Sequence, residues 1–436
     1  MSETVIVRGG TLVHRDGTAR GDVLVVDGKI VQVAERVELL AGATVIDASD
    51  CWVGPGFVDL HTHLREPGRE ESETIESGAR AAAIGGYCAV LAMPNTEPAL
   101  DNVMAAAYVF ERSRGAVVEV ALAGAITVGR RGEHLAAIAE LAAMGVRLFT
   151  DDGTGVQDPS MMRRAMTYAR PLGVRLAQHC EDEALAAGGV MNEGPLSSRL
   201  GLAGRPALAE ELMVLRDIEL VRLTGCPLHF LHLSTARSVE MVRAARAEGL
   251  PVTCEVAPHH LTFDESRCSD FDAQFKVHPP LRTASDVAAL RVAVRAGVID
   301  AVATDHAPHA PQLKDLAFDE APAGMLGLEH AASVTLDVVG EGSPLLFFNL
   351  LSRQPAAIAQ LRAEDRPVRH SGHGGAVAVG EDANLVIFDP TVNYVVDATA
   401  LQSRSTNSPY NGRAMRGRAR ALLVRGHVVV ARGDLQ

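Results

Sequence analysis

The sequence predicts an α/β fold, a TIM-type (β/α)8 barrel with a small β-sandwich built from both chain ends. Three observations predict it. The middle of the chain alternates apolar strands with alanine- and leucine-rich helices about eight times, both ends read as short strands with tight turns, and polar residues recur where the middle strands end. Eight strand–helix units over roughly 250–300 residues are typical of a closed barrel.

The two chain ends have the same β-rich character. The strand candidates are 4–13, 22–33 and 44–46 near the start, and 384–388, 421–424 and 428–430 near the end. Asp27-Gly28 interrupts the second strand and Arg425-Gly426 separates the last two, and such dipeptides favour hairpins. We therefore predict that residues 1–54 and 376–436 pair into one β-sandwich beside a barrel of residues 55–375.

The barrel strands are predicted from eight apolar runs. These are 56–64, 88–93, 117–123, 145–150, 174–179, 228–233, 252–256 and 298–304. Helical patterns lie between them, the clearest at 75–84, 134–143 and 207–223. A doubly wound open sheet is the alternative arrangement of the same elements.

Residues that can bind metals follow most of these strands, and their positions favour the barrel. They are His61, His63, Asn95, Asp151, Asp152, His179, His232, His259, His260, Asp305, His306 and His309. In a barrel all carboxyl ends of the strands lie on one rim, whereas an open sheet would spread them along an edge. A lone histidine at a strand end is usually structural, but the repetition predicts a metal site.

His61 and His63 are the clearest pair in this pattern. Residues i and i+2 of a strand point to the same face, so both imidazoles can bind one ion. Histidine and carboxylate ligands without cysteine suit Zn²⁺. The sequence thus predicts a zinc centre on the first barrel strand.

Composition excludes several kinds of partner. The chain of 436 residues has a formal net charge of -13, which disfavours broad binding to nucleic acid or to anionic membranes. No apolar run reaches membrane-spanning length, and the amino terminus lacks the pattern of a signal peptide. Six scattered cysteines without a C-x-x-C pair fit a reduced, cytoplasmic protein.

Several motifs resemble those of the dihydroorotases in the amidohydrolase superfamily, and most closely the class I bacterial enzymes. The two signatures are residues 59–67 (DLHTHLREP) and 303–314 (ATDHAPHAPQLK). Intermediate blocks also match: AMPNT at 92–96, FTDDG at 149–153, QHCED at 178–182, EVAPHHL at 255–261 and PPLR at 279–282. The resemblance covers nearly the whole chain, including the divided β-sandwich.

The resemblance implies one or two zinc ions, with two favoured. It assigns His61, His63 and Asp305 to one ion, and His179 and His232 to the other. Many members of the superfamily bridge the metals with a carbamylated lysine, but no lysine occurs here between Lys29 and Lys276. The resemblance therefore assigns the bridge to Asp152, while Asp151 faces away or supports the loop.

Catalysis and substrate binding are assigned in the same way. Asp305 is the expected general base, because a carboxylate at the metal can move a proton between water and the departing nitrogen. Arg65 can form a forked pair with a substrate carboxylate. The resemblance implies that Asn95 and His309 hold the same group.

The sequence departs from the family pattern at two positions beside the expected substrate. His278 stands where family members often have asparagine, and Ala323 stands where many have an aromatic residue before Gly324. All three residues are expected to contact the ring of the substrate. Residues 315–324 are expected to belong to the loop after the eighth strand.

The resemblance implies a dihydroorotase that interconverts N-carbamoyl-L-aspartate and L-dihydroorotate in pyrimidine synthesis. A related cyclic amidase, such as an allantoinase or dihydropyrimidinase, is the first alternative. An inactive scaffold for aspartate carbamoyltransferase is the second, although such scaffolds typically lack the metal ligands. The expected partners are a small-molecule substrate and further copies of the chain, with aspartate carbamoyltransferase as another.

Overall fold

A closed parallel barrel forms the centre of the molecule and confirms the predicted fold class. The computed structural model describes residues 3–362 and 372–436. The barrel strands, each hydrogen-bonded to the next, are β1 Phe57–Thr62, β2 Tyr87–Ala92, β3 Glu119–Gly124, β4 Leu148–Thr150, β5 Arg175–Gln178, β6 Leu228–Phe230, β7 Val252–Val256 and β8 Ala301–Val302. A parallel bridge between Thr62 and His306 joins the residues after β8 to β1 and closes the ring.

Most strands end earlier than the apolar runs predict. The run 56–64 continues as a strand only to Thr62, and the run 298–304 only over Ala301–Val302. At the rim the chain leaves the hydrogen-bonded pairing between strands, and His232 and Asp305 adopt positive φ angles of 29° and 46° there. The hydrophobic pattern thus continues beyond the hydrogen-bonded strand.

One helix follows each barrel strand. The helices are Ile75–Gly85, Val103–Arg112, Ile138–Ala143, Pro159–Ala169, Ala207–Thr224, Ala236–Ala247, Ala284–Arg295 and Ala331–Val339. Shorter helices are Glu183–Ala186, Pro195–Leu200, Pro311–Lys314, Pro344–Phe348 and Gln354–Ile358, with a π-helical turn at Asn349–Arg353. The first helix begins with a capping box between Thr74 and Ser77.

The predicted helix over 134–143 is wrong in its first turn. Leu135 pairs with Thr127 in an isolated bridge, and the Ala136 amide donates to the Ile126 carbonyl at 2.9 Å. These bonds hold residues 134–136 in an extended loop, so the helix begins only at Ile138.

Strands from both chain ends form one nine-stranded sheet, hereafter the chain-end sheet. Its order is Asp434–Leu435, His427–Ala431, Ala414–Val424, Leu385–Val395, Trp52–Pro55, Thr4–Val13, Thr18–Val26 and Lys29–Ala34, with Thr44–Asp47 beside Thr4–Val13. The two ends meet where Trp52–Pro55 pairs antiparallel with Leu385–Val395. Both predicted hairpins form, around Asp27-Gly28 and around Arg425-Gly426.

A cluster of aromatic side chains joins the sheet to the barrel. Phe57 of β1 contacts Phe347, Phe348 and Phe388, with ring centroids 5.6–6.2 Å apart, and all four are fully buried. Such pairs stabilise by about 0.5–1.5 kcal/mol each beyond the area that they bury.

The amino end of the barrel is closed from below by residues 354–361. Ala356, Ile358 and Leu361 pack in one cluster with inward-facing residues such as Val58 and Leu60 of β1. The opposite end, where the strands finish, is left for polar side chains.

Candidate metal centre

Six predicted ligands converge at the carboxyl ends of the barrel strands. They are His61 and His63 on and after β1, Asp152 after β4, His179 after β5, His232 after β6 and Asp305 after β8. None is more than 6% exposed. The barrel thus brings residues far apart in sequence to one buried point on its axis.

The first group of ligand atoms surrounds the pair on β1. The His61 Nε2 atom lies 3.3 Å from Asp152 Oδ1 and 3.6 Å from Asp305 Oδ1. The His63 Nε2 atom lies 3.2 Å from Asp305 Oδ1 and 3.6 Å from Asp152 Oδ2. Two imidazoles and two carboxylates therefore face the same small space.

The second group shares one carboxylate with the first. His179 Nδ1 and His232 Nε2 are 3.0 Å apart, and each lies 3.6 Å from Asp152 Oδ1. Asp152 is the one residue present in both candidate ligand sets of the described chain, His61–His63–Asp152 and Asp152–His179–His232. Asp152 therefore lies between the two sets.

Unpartnered polar atoms provide a test of whether a metal fits. His61 Nε2 and Asp152 Oδ1 are fully buried and make no hydrogen bond within the described chain. A buried polar atom without a partner costs about 1–3 kcal/mol, and more when it is charged. A cation between these atoms would remove that cost, and imidazole plus carboxylate is a suitable donor set for a divalent metal. The residues therefore fit a metal.

The electrostatics of the ligands agree with a site built for positive charge. Burial raises the pKa of Asp152, but His61, His179 and His232 together hold it well below its usual range. Burial lowers the pKa of His61, but Asp152 and Glu255 raise it well above its usual range. The carboxylate is ionised at neutral pH, as a metal ligand must be.

Outer partners fix the orientation of the two imidazoles on β1. The Nδ1 atom of His61 lies 3.0 Å from Glu255 Oε1, and the Nδ1 atom of His63 lies 2.9 Å from Asn95 Oδ1. With each Nδ1 donating to an oxygen, each Nε2 faces the centre and can exchange its proton for a metal ion. Asn95 also approaches Asp152 Oδ2 with its amide nitrogen at 3.4 Å.

Glu255 is a candidate site residue that the sequence reasoning did not single out. It is fully buried in β7, and its second oxygen lies 3.0 Å from His229 Nε2. Burial raises the pKa of Glu255, but the hydrogen bonds from His229 and His61 lower it to about 2. A glutamate within an otherwise apolar strand is the signal that could have identified it, because such a charge needs a buried partner.

Asp151 faces away from the ligands. Its Oδ1 atom accepts hydrogen bonds from the backbone amides of Ile126 and Thr127 at 2.8 and 3.0 Å, and Oδ2 accepts from the Thr127 hydroxyl. The two neighbouring aspartates at the end of β4 therefore have different roles. Asp151 ties down the loop after β3, and Asp152 reaches the centre.

Arg65 lies at the edge of the centre with most of its guanidinium unpaired. Its Nε atom donates to the Pro308 carbonyl at 3.1 Å, while its terminal nitrogens make no hydrogen bond within the described part of the chain. Burial lowers the pKa of Arg65 to about 10, which leaves it charged at neutral pH. Its φ of 60° is a left-handed conformation, a form of strain common at functional sites.

His309 and the residues before Gly324 meet beside Arg65. His309 Nε2 donates to the Ala323 carbonyl at 2.8 Å, and burial together with Arg65 lowers the pKa of His309 to about 2. Gly324 has a φ of 137°, and a Cβ at this position would lie 2.8 Å from His309 Nε2. Only glycine fits between this loop and His309.

Asn407, from the far end of the chain, holds the loop after β8 in place. Its side chain donates to the Ala307 and Gly324 carbonyls at 3.0 and 3.2 Å and accepts from the His309 amide at 3.1 Å. Nothing in the sequence around Asn407 marks it, since the segment reads as a polar loop of the chain-end sheet. Sequence reasoning did not find it.

His278 lies near the second group of ligands with an unused ring nitrogen. Its Nε2 atom is buried and makes no hydrogen bond to any residue that the structure describes. Burial, with Arg205 nearby, lowers the pKa of His278 to about 3, so the ring is neutral at physiological pH. A neutral imidazole can serve either as donor or as acceptor to a bound molecule.

The barrel and its centre define a class of protein, and solved structures agree. The chain aligns over its full length with the L-hydantoinase (dihydropyrimidinase) from Arthrobacter aurescens, at a TM-score of 0.86 and 26% identity, covering 98% of that chain. Dihydropyrimidinase from Brevibacillus agri NCHU1002 aligns at a TM-score of 0.84 and 25% identity, covering 96% of that chain. The protein is an enzyme of the metal-dependent cyclic amidohydrolase class and acts on a small molecule.

Sequence comparison identifies the family. Residues 52–238 match the family described as dihydro-orotase-like. The dihydroorotases of Anaeromyxobacter dehalogenans strain 2CP-C and Mycobacterium tuberculosis H37Rv are each 44% identical, over 99% and 96% of both chains respectively. The chain belongs to the dihydroorotase family, as the motifs predict. No helix in the described part of the chain is long and apolar enough to cross a membrane.

Proposed function

We propose that the enzyme is a zinc-dependent dihydroorotase, which reversibly cyclises N-carbamoyl-L-aspartate to L-dihydroorotate for pyrimidine synthesis. The observation that carries this proposal is that the terminal guanidinium nitrogens of Arg65, beside the candidate metal ligands, have no hydrogen-bond partner within the described chain. A charged, pre-oriented guanidinium at this point suits a substrate with a carboxylate on its ring. Asn95 and His309 are proposed to complete the carboxylate site, with the Nε2–H of His309 leaving the Ala323 carbonyl when the substrate binds.

The proposed metal content is two zinc ions. His61, His63 and Asp305 would hold one, His179 and His232 the other, and Asp152 would bridge them. Bound zinc would supply two effects, a lowered pKa of water near neutrality and polarisation of the ring carbonyl. The proposal rests on the two overlapping ligand sets and on the nitrogen–oxygen donors.

Asp305 is the proposed general base and acid. In ring opening it accepts a proton from the attacking water and delivers this proton to the ring nitrogen as the carbon–nitrogen bond breaks. Burial raises the pKa of Asp305, but the surrounding histidines hold it far below its usual range, so Asp305 is ionised before the step begins. Cyclisation uses the same residue, which then takes the proton from the ureido nitrogen.

The ring of the substrate is proposed to lie against His278, Ala323 and Gly324. His278 offers a neutral ring nitrogen without a partner, and this is the hydrogen-bonding group that an asparagine would otherwise supply. Ala323 has a small side chain, which leaves room beside the ring. The departures from the family pattern are then substitutions within one pocket.

A dihydropyrimidinase activity is the second candidate, because the solved structures named above carry that description. Their neutral-ring substrates would give Arg65 no carboxylate to bind. Turnover of the zinc-loaded enzyme should be measured on L-dihydroorotate, N-carbamoyl-L-aspartate, dihydrouracil, hydantoin and allantoin. Turnover confined to the last three would refute the proposed substrate.

Further proposals concern assembly and compartment. All six cysteines are buried and unpaired, which fits the reducing cytoplasm. Leu208, Leu212 and Leu215 are 43–46% exposed on one face of the helix Ala207–Thr224, which supports self-association. Light scattering of the purified protein, alone and with aspartate carbamoyltransferase, would test whether it forms a homo-oligomer and whether that enzyme binds it.

A further inference from the structure

A second charged cavity lies at the amino end of the barrel, away from the metal centre. It measures about 160 Å³ and is bounded by the π-helical turn Asn349–Arg353, the loop after Thr4–Val13 and residues 372–376. The side chains that give it its character are Arg15, Arg353, Arg362 and Glu381. The turn Asn349–Arg353 immediately precedes the residues that close the barrel from below, so the cavity belongs to the junction of the barrel and the chain-end sheet.

Arg353 is the central feature of this cavity. Its side chain is 6% exposed, and its Nη2 atom donates to the Val13 and His14 carbonyls at 2.8 and 3.1 Å. Its Nη1 atom is buried and has no hydrogen-bond partner among residues 3–362 and 372–436. No carboxylate in the described parts of the chain forms an ion pair with it. A buried guanidinium nitrogen in this state lacks an acceptor that a ligand could supply.

The surrounding charges leave the cavity positive. Burial and the nearby Arg15 lower the pKa of Arg353 to about 10, an effect that Asp16 partly offsets. Arg362 donates to the Arg353 carbonyl at 3.3 Å and, like Arg15, has no ion pair within the described residues. Of the described lining residues, Glu381 is the one carboxylate; it lies over Gly375 and forms no ion pair with a described arginine. Among the described residues at this cavity, three guanidinium groups therefore outnumber two carboxylates, Glu381 and Asp16.

The backbone opposite Arg353 offers further donors. The amides of Gly374, Gly375 and Ala376 donate to no acceptor in the part of the chain that the structure describes. Gly374 has a φ of 66°, and a Cβ there would lie 2.7 Å from Ala356 Cβ and 3.1 Å from the Ser352 carbonyl oxygen. Glycine at this position lets the segment approach the π-helical turn. Successive free amides next to arginine side chains are a frequent way to bind anions.

We infer that this cavity binds a tetrahedral oxyanion of the phosphate class, either free phosphate or the phosphoryl group of a phosphomonoester. Arginine forks match the oxygens of phosphate, and the free amides can donate to the same group. The volume is below the roughly 300–1,000 Å³ of pockets that enclose larger ligands, so only the phosphoryl group would be enclosed. The bound anion would link the chain-end sheet to the floor of the barrel.

The test is a titration of the metal-loaded, full-length protein with inorganic phosphate. Calorimetry measures the binding, and thermal unfolding measures the change in the unfolding midpoint. We expect saturable binding that raises the unfolding midpoint, whereas sodium chloride at the same ionic strength should not reproduce it. Arg362→Gln and Arg15→Gln should each weaken phosphate binding, by about tenfold and about threefold respectively. Neither substitution touches the bonds of Arg353 to Val13 and His14, so both variants should fold.

Two controls locate the bound phosphate. Arg20→Gln removes an exposed arginine outside the cavity and should leave the affinity unchanged. Arg65→Ala removes the arginine of the metal centre and should also leave it unchanged. If only Arg65→Ala weakens binding, or if Arg15→Gln and Arg362→Gln bind as wild type does, the proposal is wrong.

Phosphomonoesters distinguish the source of the anion. Equal affinity for inorganic phosphate and ribose 5-phosphate would identify a site for the phosphoryl group alone, and tighter binding of adenosine 5′-monophosphate would identify a nucleotide site. Both results support an oxyanion site. Stabilisation by chloride equal to that by phosphate would contradict it.

Discussion

The metal ligands and the residues of the loop after β8 lie side by side at one end of the barrel, but they are held by different parts of the chain. The ligands extend from strand ends, and other barrel residues fix them, as Glu255 fixes His61 at 3.0 Å. The loop is held largely through its backbone, by Asn407 from the far end of the chain and by the bond from His309 to Ala323.

This difference indicates that the ligands and the loop after β8 have different functions. A ligand set fixed by the barrel ladder keeps its geometry whatever is bound, which suits chemistry that depends on atoms within a few tenths of an ångström. A loop held by a remote segment can vary independently, which suits selection of the substrate. We therefore expect changes at the ligands to abolish turnover, and changes at the loop to alter mainly the affinity.

The largest expected effect follows from removing the proposed proton carrier. Asp305→Asn keeps the size of the side chain but cannot accept a proton, so kcat should fall by about 10²–10⁴-fold. Steady-state turnover of dihydroorotate, with the metal content measured in parallel, checks this. Asp319→Asn, in the exposed part of the neighbouring loop, is the matched control. Turnover near wild type with full metal content would exclude Asp305 as the base.

The next effect tests the carboxylate site. Arg65→Ala removes a charged hydrogen-bonding group, and KM for dihydroorotate should rise by about 10–100-fold with a smaller change in kcat. Any activity on dihydrouracil, which has no carboxylate, should be unaffected. Arg69→Ala, an exposed arginine paired with Glu97, is the control. An unchanged KM for dihydroorotate would refute the role assigned to Arg65.

The comparison also explains what the sequence could predict. The alternation of strands and helices places every strand end on one rim. Among the residues on that rim, the family resemblance selects His61, His63, Asp152, His179, His232 and Asp305. The ranges were less accurate, because the apolar pattern of β8 runs from 298 to 304 while the hydrogen-bonded strand is Ala301–Val302. The fold and the common rim thus follow from local pattern combined with topology, whereas the choice of ligands follows from the resemblance.

Contacts that depend on tertiary geometry could not be predicted in this way. Glu255 reaches His61 across the barrel, from a strand 194 residues later. Asn407 reaches the loop after β8 from a segment that looks like part of the chain-end sheet. Neither pairing has a local pattern, since each depends on where distant backbone segments finally lie.

Glu255 offers a way to test the support of the ligands without removing a ligand. Glu255→Gln keeps the shape but weakens the bond that orients His61, so metal affinity should fall by about 10–100-fold. Competition with a chelator measures this directly. Glu240→Gln, in an exposed pair with Arg243, is the control. Unchanged metal affinity would mean that the barrel backbone alone orients His61.

A smaller effect is expected in the loop. In Gly324→Ala the new Cβ would lie 2.8 Å from His309 Nε2 and 2.7 Å from Ala307 Cβ, so His309 must move. We expect KM for dihydroorotate to rise by about 3–10-fold, with metal content unchanged. Gly340→Ala is the matched control, since Gly340 also has a positive φ, 79°, but nothing lies within 4 Å of its Cβ position. Equal effects of both substitutions would indicate backbone strain alone.

The smallest expected effect concerns the segment that carries Asn407. Glu329 accepts the backbone amide of Gln402 at 2.8 Å, and burial raises the pKa of Glu329 to about 7. The folded protein therefore holds a proton that the unfolded chain releases near pH 4.5, so this contribution to stability is complete below that pH and is lost as the pH rises through about 7.

Glu329→Gln cannot lose that proton and still accepts the Gln402 amide through its side-chain oxygen. The free energy of unfolding of the wild type should decrease between pH 5 and pH 8. In Glu329→Gln this decrease should be smaller by about 1–3 kcal/mol. Urea unfolding at each pH measures the free energy of unfolding of both proteins. The contribution of the buried histidines is the same in both and cancels in the difference. Glu320→Gln, on the exposed part of the loop, should retain the wild-type slope. If the free energies of unfolding of wild type and Glu329→Gln change in parallel with pH, Glu329 is already ionised in the folded protein. The segment that carries Asn407 would then be stabilised without a proton on Glu329.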